Sequence, residues 1–276
     1  MSGAGRTTTT QSVQKAMRLL ACFAASEAPS LSAEELSDLT GWTPSSVYRL
    51  LSALEASGFV QEDPATRGYR LGLQLVALAG KALRGNALYR LCHPHLVRLA
   101  AASGETANLC VLDGPDVLTV DEAQGNEAIR LSGWLGLRHP PHATAAGKVL
   151  LAALPPERRA ALLPADLPAL TPRTLTDRER VLRELDRVGA EGYGLTVEEL
   201  GLGLVGVAAP IRDHIGAVVA AITVGGPSFR FSERHLAECI TLVIDAAAAV
   251  SSELGAVAPP VQTPEERGRH GSRASA

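Results

Sequence analysis

The stretch LSAEELSDLTGWTPSSVYRLLSALEASGFVQEDPATRGYRLG, residues 31–72, decides the fold of the N-terminal part of this chain. Ser32 followed three residues later by Glu35 is a capping box, which predicts that a helix begins at the residue after Ser32. Gly41 is expected to end this helix, because glycine adopts the left-handed conformation without steric cost. The pattern therefore predicts one short helix followed by a tight turn.

A second helix is predicted directly after the turn. Thr43 is expected to cap it, and Pro44 suits its first position, where a missing N–H costs nothing. Apolar residues at helical spacing give this helix one face that can be buried: Val47, Leu50, Leu51 and Leu54. The opposite face is polar and able to form hydrogen bonds: Ser45, Ser46, Tyr48, Arg49 and Ser52.

Two short strands, residues 59–60 and 69–71, are predicted around a polar turn that contains Pro64 and Gly68. This order of elements is typical of a winged helix-turn-helix, whose second helix enters the major groove of DNA. We therefore predict DNA contacts from the second helix and the wing: Thr43, Ser45, Ser46, Tyr48, Arg49, Thr66 and Arg67. The alternative is a pair of helices and a hairpin that serve only for packing.

The segment before this motif, residues 12–25, is amphipathic and predicts a first helix that packs under the other two. Its apolar side is formed by Val13, Ala16, Met17, Leu20 and Phe23. Lys15 and Arg18 lie off that side, where they either contact DNA phosphate groups or belong to a solvated face.

The composition is that of a globular protein, with 276 residues of which 46% are hydrophobic and 20% charged. The net charge of −3 is unfavourable for contact with phosphates, but DNA binding uses one face of a protein and a dimer doubles that face. The four cysteines are scattered, no apolar run approaches the length of a bilayer, and the N-terminus lacks an apolar signal core. We therefore expect a cytoplasmic protein with reduced thiols and no membrane contact.

Changes in composition divide the chain into five segments. We expect a disordered N-terminus (1–9), a winged helix-turn-helix domain (10–72), a linker helix (73–86), a second domain (87–255) and a disordered tail (256–276). The linker helix is rich in apolar residues, and a partner subunit is the natural cover for that surface.

The second domain is predicted to be α+β, with antiparallel strands and helices at the flanks. Pro94 is expected to kink or restart a helix over residues 88–102. Strands are predicted at residues 106–112, 116–122, 128–132, 193–198, 204–212 and 215–224. Helices are predicted at residues 145–153, 176–190 (capped by Thr176) and 232–254.

Over about residues 10–254 the chain resembles the IclR family of bacterial transcriptional regulators. The first matching stretch combines TTTQSVQKAMRLLACF with WTPSSVYRLLSALEASGFV and GYRLG; the others are GLRHPPHATAAGKVLLA (136–152) and GLGLVGVAAPIRDHIGAVVAAITVGGPSFRF (201–231). The resemblance implies an N-terminal winged helix-turn-helix and a C-terminal effector-binding domain with a GAF-like sheet. It also implies homodimers or homotetramers on palindromic operators in double-stranded DNA, and small-molecule effectors such as organic acids or aromatic compounds.

Residues 144–147 form a candidate anion site. Thr144 stands at a helix N-cap, and the small side chains of Ala145, Ala146 and Gly147 leave their backbone N–H groups open to a ligand. The alternative is a plain capped helix whose small residues serve close packing. The resemblance adds further effector contacts: Leu131, His139, Thr196, Leu204, Gly206, Thr223 and Gly225.

Family members whose pockets suit small carboxylates present more hydroxyl and acidic groups at these positions. The present sequence differs from them. Gly206 and Gly225 supply no side chain, and Thr196 stands where an acidic residue can occur. A roomier and less polar pocket is therefore expected.

Other chemistries find little support in the sequence. Cys92, His93 and His95 have no second cluster at the spacing of a metal site, and the G-x-G-x-x-G at residues 201–206 precedes a strand where a dinucleotide site needs a helix. No group of residues fits named catalytic roles. We predict no metal, no cofactor and no enzymatic activity.

The sequence thus predicts a ligand-responsive DNA-binding regulator of transcription, and more specifically a repressor controlled by a small organic molecule. The alternative is a small-molecule sensor whose winged helix mediates protein association rather than DNA binding.

Overall fold

A computed structural model describes residues 4–26 and 28–256 of the chain; the side chains of residues 4–10, 83 and 84 are not part of that description. The chain divides into two compact units after Asn86. Disorder was predicted for the tail at 256–276, and nearly all of that segment lies outside the described residues, as do residues 1–3 of the N-terminus.

The first unit contains helices and a two-stranded antiparallel hairpin. Its elements are α1 (Ala4–Ala25), α2 (Ala33–Thr40), α3 (Pro44–Ala56), β1 (Val60–Glu62), β2 (Tyr69–Leu71) and α4 (Leu73–Gly85). The predicted capping box at α2 is confirmed: Glu35 N–H donates to Ser32 Oγ at 3.2 Å, and Ser32 N–H donates to Glu35 Oε2 at 2.7 Å. Gly41 follows α2 with a φ of +71°, as the turn requires.

The core of this unit is formed where α1, α2 and α3 meet. The predicted apolar face of α3 is confirmed, since Val47, Leu50, Leu51 and Leu54 are all buried. The predicted apolar side of α1 is partly wrong: Val13 and Met17 are exposed, and Leu19 is buried beside Phe23. The buried side of α1 is therefore rotated about the helix axis relative to the predicted apolar side.

Helix α1 also begins earlier than predicted. It runs from Ala4, so residues 4–9 are helical where disorder was expected. No proline interrupts the segment between Ala4 and Ala25, and a helix continues until a residue or a contact stops it.

The second unit is an α+β domain around a six-stranded, fully antiparallel sheet in the order β5-β4-β3-β8-β7-β6. Its strands are β3 (Thr106–Asp113), β4 (Asp116–Ala123), β5 (Arg138–His139), β6 (Gly194–Val197), β7 (Leu204–Arg212) and β8 (Val218–Pro227). Its helices are α5 (Ala87–Ser103), α6 (Ala145–Ala152), α7 (Pro156–Leu162), α8 (Arg178–Glu191) and α9 (Glu233–Glu253), with 3-10 turns at Pro141–Ala143 and Ser228–Arg230. The predicted fold class is confirmed.

Each face of this sheet carries its own helical layer. Helices α5 and α9 pack on one face through residues such as Leu96 and Val243, and α6 and α8 pack on the other through residues such as Leu151 and Leu185. Helix α9 is long and apolar enough to cross a bilayer, with a mean hydropathy of 1.3, but it packs against the sheet with a buried stripe that includes Val243 and Val250. Helix α9 therefore covers one face of the sheet with a single buried stripe.

Two local predictions, and part of a third, were wrong. Residues 128–132 form no strand, and hydrogen bonds from Trp134 N–H to the Glu122 carboxylate and from Thr106 Oγ1 to the Leu131 carbonyl hold this segment instead. The hydroxyl of Thr176 does not cap α8, because Asp177 occupies the N-cap and accepts from Arg180 N–H at 2.7 Å. Of the two outcomes predicted at Pro94, a restart is wrong, because α5 continues through this residue, and a kink stays a prediction.

Candidate functional site

The polar face of α3 is open to solvent. Ser45, Tyr48 and Arg49 are exposed, with Tyr48 at 54%. Within the described part of the chain, no hydrogen bond or ion pair engages the Arg49 guanidinium. A cation on a helix whose other face is fixed in a core is available for an external partner.

Thr43 stands at the N-cap of α3, but its side chain makes no capping hydrogen bond, so that part of the prediction was wrong. Its hydroxyl lies 3.0 Å from Ser46 Oγ and 3.3 Å from Ser45 Oγ. The hydroxyls of Ser45 and Ser46, rather than a backbone N–H group, are the partners of the Thr43 hydroxyl. Three hydroxyl groups therefore lie together at the start of α3. Hydroxyls and free N–H groups at a helix start are common phosphate contacts.

Lys15 and Arg18 flank the turn between α2 and α3. Lys15 Nζ lies 5.4 Å and Arg18 Cζ 5.6 Å from the ring centre of Trp42, within the range of cation–π contacts. Both side chains are exposed. The indole therefore positions two cations beside the start of α3.

The wing turn is fixed by its own hydrogen bonds. Asp63 N–H donates to the Gly68 carbonyl at 2.7 Å, and Thr66 Oγ1 lies 3.0 Å from Ser30 Oγ. Arg67 is exposed and has a φ of +54°, an uncommon conformation for a residue with a Cβ atom. The turn thus presents Arg67 at its tip.

In the second unit, a cavity of about 610 Å³, including its part open to solvent, lies between one face of the sheet and the start of α6. Every residue predicted for the effector pocket lines it: Leu131, His139, Thr144, Ala145, Ala146, Thr196, Leu204, Gly206, Thr223 and Gly225. The prediction missed further lining residues: Asn108, Cys110, Val117, Thr119, Trp134, Leu200, Val205 and Val224. Alternation along β3 could have found Asn108 and Cys110, but no sequence signal singled out Trp134.

Adjacent glycines make the floor of the cavity. Gly206 on β7 pairs with Gly225 on β8, so two neighbouring positions of the sheet carry no side chain. A Cβ atom on Gly206 would lie 3.2 Å from Thr196 Oγ1, and one on Gly225 would lie 3.5 Å from Leu131 Cδ1. Both glycines line the cavity, and Ala145 at the start of α6 packs close to Gly206, since a Cβ atom on Gly206 would lie 3.7 Å from Ala145 Cβ.

Thr144 caps α6, because its Oγ1 accepts from Gly147 N–H at 3.0 Å. Gly147 has no room for a side chain: a Cβ atom there would lie 2.2 Å from the Pro141 carbonyl oxygen. Ala145 and Ala146 occupy the first turn, where backbone N–H groups have no acceptor inside the helix, and both residues line the cavity. This arrangement suits an anionic group of a ligand.

The lining is polar in places but carries no acidic or cationic side chain. Asn108 Oδ1 and His139 Nε2 are buried atoms with no hydrogen-bond partner among the described residues. Burial lowers the pKa of His139, an effect that the charge of Asp116 only partly opposes, so the imidazole is neutral near pH 7. The Trp134 ring lies 4.9 Å from it, centre to centre.

Cys92, His93 and His95 lie in separate surroundings and do not share a site. Cys92 is buried, His93 Nδ1 lies 2.8 Å from Asp121 Oδ2, and His95 Nε2 lies 2.9 Å from Glu253 Oε1. Residues 4–26 and 28–256 contain no cluster of three or more histidine, cysteine or acidic side chains that could hold a metal ion.

Comparison with known proteins identifies both units. The family described as the C-terminal domain of IclR-type bacterial transcriptional regulators matches residues 80–252, and the IclR helix-turn-helix domain matches residues 12–64. The chain is 33% identical over 217 residues to the HTH-type transcriptional repressor AllR of Escherichia coli K12, covering 78% of this chain and 80% of AllR. It is 34% identical over 242 residues to the HTH-type transcriptional regulator BhcR of Paracoccus denitrificans, covering 87% and 86% of the two chains.

A solved structure is similar in fold over most of this chain. It is an IclR homologue from Microbacterium hydrocarbonoxydans in complex with 4-hydroxybenzoate, with a TM-score of 0.75, 27% identity and coverage of 88% of this chain and 98% of the homologue. These relatives are transcriptional regulators rather than enzymes. The protein is accordingly a DNA-binding transcriptional regulator, and the chain belongs to the IclR family.

Proposed function

We propose that this protein is a cytoplasmic repressor that binds a palindromic operator in double-stranded DNA and responds to a small organic effector. The observation that carries the proposal is the exposed polar face of α3, on which Arg49 has no partner in the described part of the chain, opposite a fully buried apolar face. The name of AllR as a repressor supports the direction of control.

On DNA, α3 lies in the major groove. Arg49 binds a guanine edge or a phosphate, and Ser45, Ser46 and Tyr48 contact bases or backbone around it. Thr43 at the helix start, Thr66 and Arg67 at the wing, and Lys15 and Arg18 beside Trp42 contact the sugar–phosphate backbone. Because the net charge is −3, this local group of cations has to supply the affinity, and binding is salt-sensitive.

The effector occupies the cavity of the second unit. Its anionic group is bound by the free N–H groups of Ala145 and Ala146, and its body lies over Gly206 and Gly225. The bound 4-hydroxybenzoate in the homologue supports an organic acid of this size. The protein has a state that binds the operator and a state that releases it. The effector can change the affinity for DNA by no more than the ratio of its own affinities for these two states.

The protein acts as a homodimer or homotetramer. Helix α4 exposes large apolar side chains along its length, with Leu73 at 77%, Val76 at 67% and Leu78 at 46%. A second copy of the chain covers this face and brings two DNA-binding units to the two halves of the operator.

Fluorescence anisotropy with DNA from upstream of the protein's own gene tests the proposal. Wild type is compared with Arg49→Ala and with Arg183→Ala, a control on the exposed side of α8. We expect wild type and the control to bind this DNA more tightly than random DNA, with affinity falling as salt rises, and Arg49→Ala to bind at least about tenfold more weakly.

Circular dichroism and the oligomeric state of Arg49→Ala must match wild type for the comparison to hold. Wild-type binding by Arg49→Ala would refute the assignment of the recognition face. Absence of binding to any DNA at low salt would favour the alternative, a sensor whose winged helix mediates protein association.

A further inference from the structure

We propose that Asn108 binds a hydroxyl group at the end of the effector remote from α6, so that the effector is a ring-sized apolar carboxylate bearing a hydroxyl. This inference rests on the proposed effector site and adds a specificity residue to it. It makes Asn108 the residue that distinguishes a hydroxylated acid from the same acid without the hydroxyl.

The side chain of Asn108 is unsatisfied where it stands. The residue is 8% exposed, it lines the cavity, and its Oδ1 has no hydrogen-bond partner within the described residues. A buried amide that lacks a partner is costly, and buried polar groups in native proteins are nearly always satisfied by protein, water or ligand. A ligand hydroxyl satisfies the amide, because it can donate to the oxygen and can also accept from the nitrogen.

The sheet register sets the distance between this amide and the anion site. The start of α6 lies over Gly206, since a Cβ atom on Gly206 would be 3.7 Å from Ala145 Cβ. Gly206 pairs with Gly225 across β7 and β8, and Thr223 pairs with Asn108 across β8 and β3. Two strand spacings, about 10 Å, and an offset of two residues along β8, about 7 Å, therefore place Gly206 and Asn108 about 12 Å apart in the sheet.

A six-membered ring with its two polar groups at opposite ends, together with the reach of the Asn108 side chain, spans this distance. The space between the two ends suits an apolar body, because its lining includes Gly206 and Gly225 together with Leu131, Leu204 and Val205. A second carboxylate at the Asn108 end is disfavoured, because no cationic side chain lines the cavity to compensate it.

Isothermal titration calorimetry with two isosteric probes, 4-hydroxybenzoate and 4-methylbenzoate, tests the inference on the full chain. For wild type we expect the hydroxy acid to bind about tenfold more tightly than the methyl acid. In Asn108→Leu we expect this ratio to fall to about one, with binding of the methyl acid retained. Asn126→Leu, the same substitution at an exposed loop position, is expected to keep the wild-type ratio.

Asn108→Ser is measured alongside in case the leucine variant does not fold, and it is expected to keep part of the preference because serine retains a hydroxyl. Equal binding of both acids to wild type, or a preference that survives in Asn108→Leu, overturns the inference. Failure of wild type to bind either acid also overturns it. The operator titration with Arg49→Ala uses no effector, so it tests the DNA-binding proposal independently of Asn108.

Discussion

Lys148 Nζ lies 2.6 Å from Glu199 Oε1, and only 1% of Lys148 is exposed. The ammonium also donates to the Leu195 carbonyl at 3.2 Å. This buried pair joins α6, whose first turn lines the cavity, to the segment after β6, where the neighbouring Leu200 lines it as well. The ion pair therefore fixes two walls of the candidate effector site relative to each other.

Replacement of Lys148 by methionine is expected to lower the free energy of unfolding by about 3–5 kcal/mol, because it leaves the Glu199 carboxylate buried without its cation. The double variant Lys148→Met/Glu199→Gln is expected to recover part of this loss. Urea unfolding followed by circular dichroism measures both. Arg183→Ala, which removes an exposed ion pair, should change stability by no more than about 0.5 kcal/mol.

Acid is expected to destabilise the second unit through His139. Burial lowers the pKa of this imidazole below its ordinary value of 6.5 in the folded state. The unfolded chain therefore binds a proton that the folded chain does not, so stability falls as the pH drops below about 6.5 and levels off below the folded pKa. His142, whose pKa burial also lowers, contributes in the same direction.

Thermal unfolding of wild type and His139→Gln between about pH 7.5 and pH 5 measures this effect. The slope of stability against pH should be smaller in the variant, by at most about 1.4 kcal/mol per pH unit for one group. His214→Gln, a change at an exposed histidine, should keep the wild-type slope. Equal slopes in wild type and His139→Gln would show that His139 does not titrate differently in the folded chain.

The sequence was sufficient where local chemistry decides the structure. The capping box at Ser32, the helical spacing that buries Val47 and the N-cap at Thr144 each predicted what the structure shows. The sequence was insufficient where contacts between distant parts of the chain determine the local structure. Nothing local to Leu131 shows that its carbonyl accepts a hydrogen bond from the Thr106 hydroxyl and that the segment forms no strand.

The cavity illustrates the same division. The glycines at positions 206 and 225 could be noticed in the sequence, but their pairing as neighbours in the cavity lining depends on the register between β7 and β8. The amide oxygen of Asn108 lacks a hydrogen-bond partner because no described residue from another part of the chain reaches it. No local sequence pattern encodes such a tertiary property.

Gly225→Ser is expected to make the cavity selective for smaller acids. The position tolerates a side chain, since its φ is not left-handed and a Cβ atom would meet its nearest neighbours at 3.4 and 3.5 Å. The hydroxymethyl group then takes up part of the cavity that Gly225 lines. Affinity for 4-hydroxybenzoate should fall at least about tenfold, with stability within about 1 kcal/mol of wild type. Gly189→Ser on α8, where a Cβ atom meets nothing within 4 Å, is the matched control for calorimetry.

The exposed face of α4 is expected to hold the oligomer together. Val76 is 67% and Leu73 77% exposed, and an apolar face of this kind on a helix indicates a surface that a partner covers. A charge at its centre opposes that burial, because a carboxylate placed in an apolar interface loses its hydration without a compensating cation. Val76→Asp should therefore shift the protein toward monomer in sedimentation velocity at micromolar concentration.

Ile215→Asp provides the comparison, since Ile215 is also exposed, at 74%, but lies in the turn between β7 and β8. The two variants separate an interface effect from a general effect of added charge. Monomeric Val76→Asp should also bind a palindromic operator more weakly than wild type, although its α3 is unchanged, because each monomer then binds only one half-site. If Val76→Asp kept the wild-type sedimentation coefficient, another surface would have to form the oligomer.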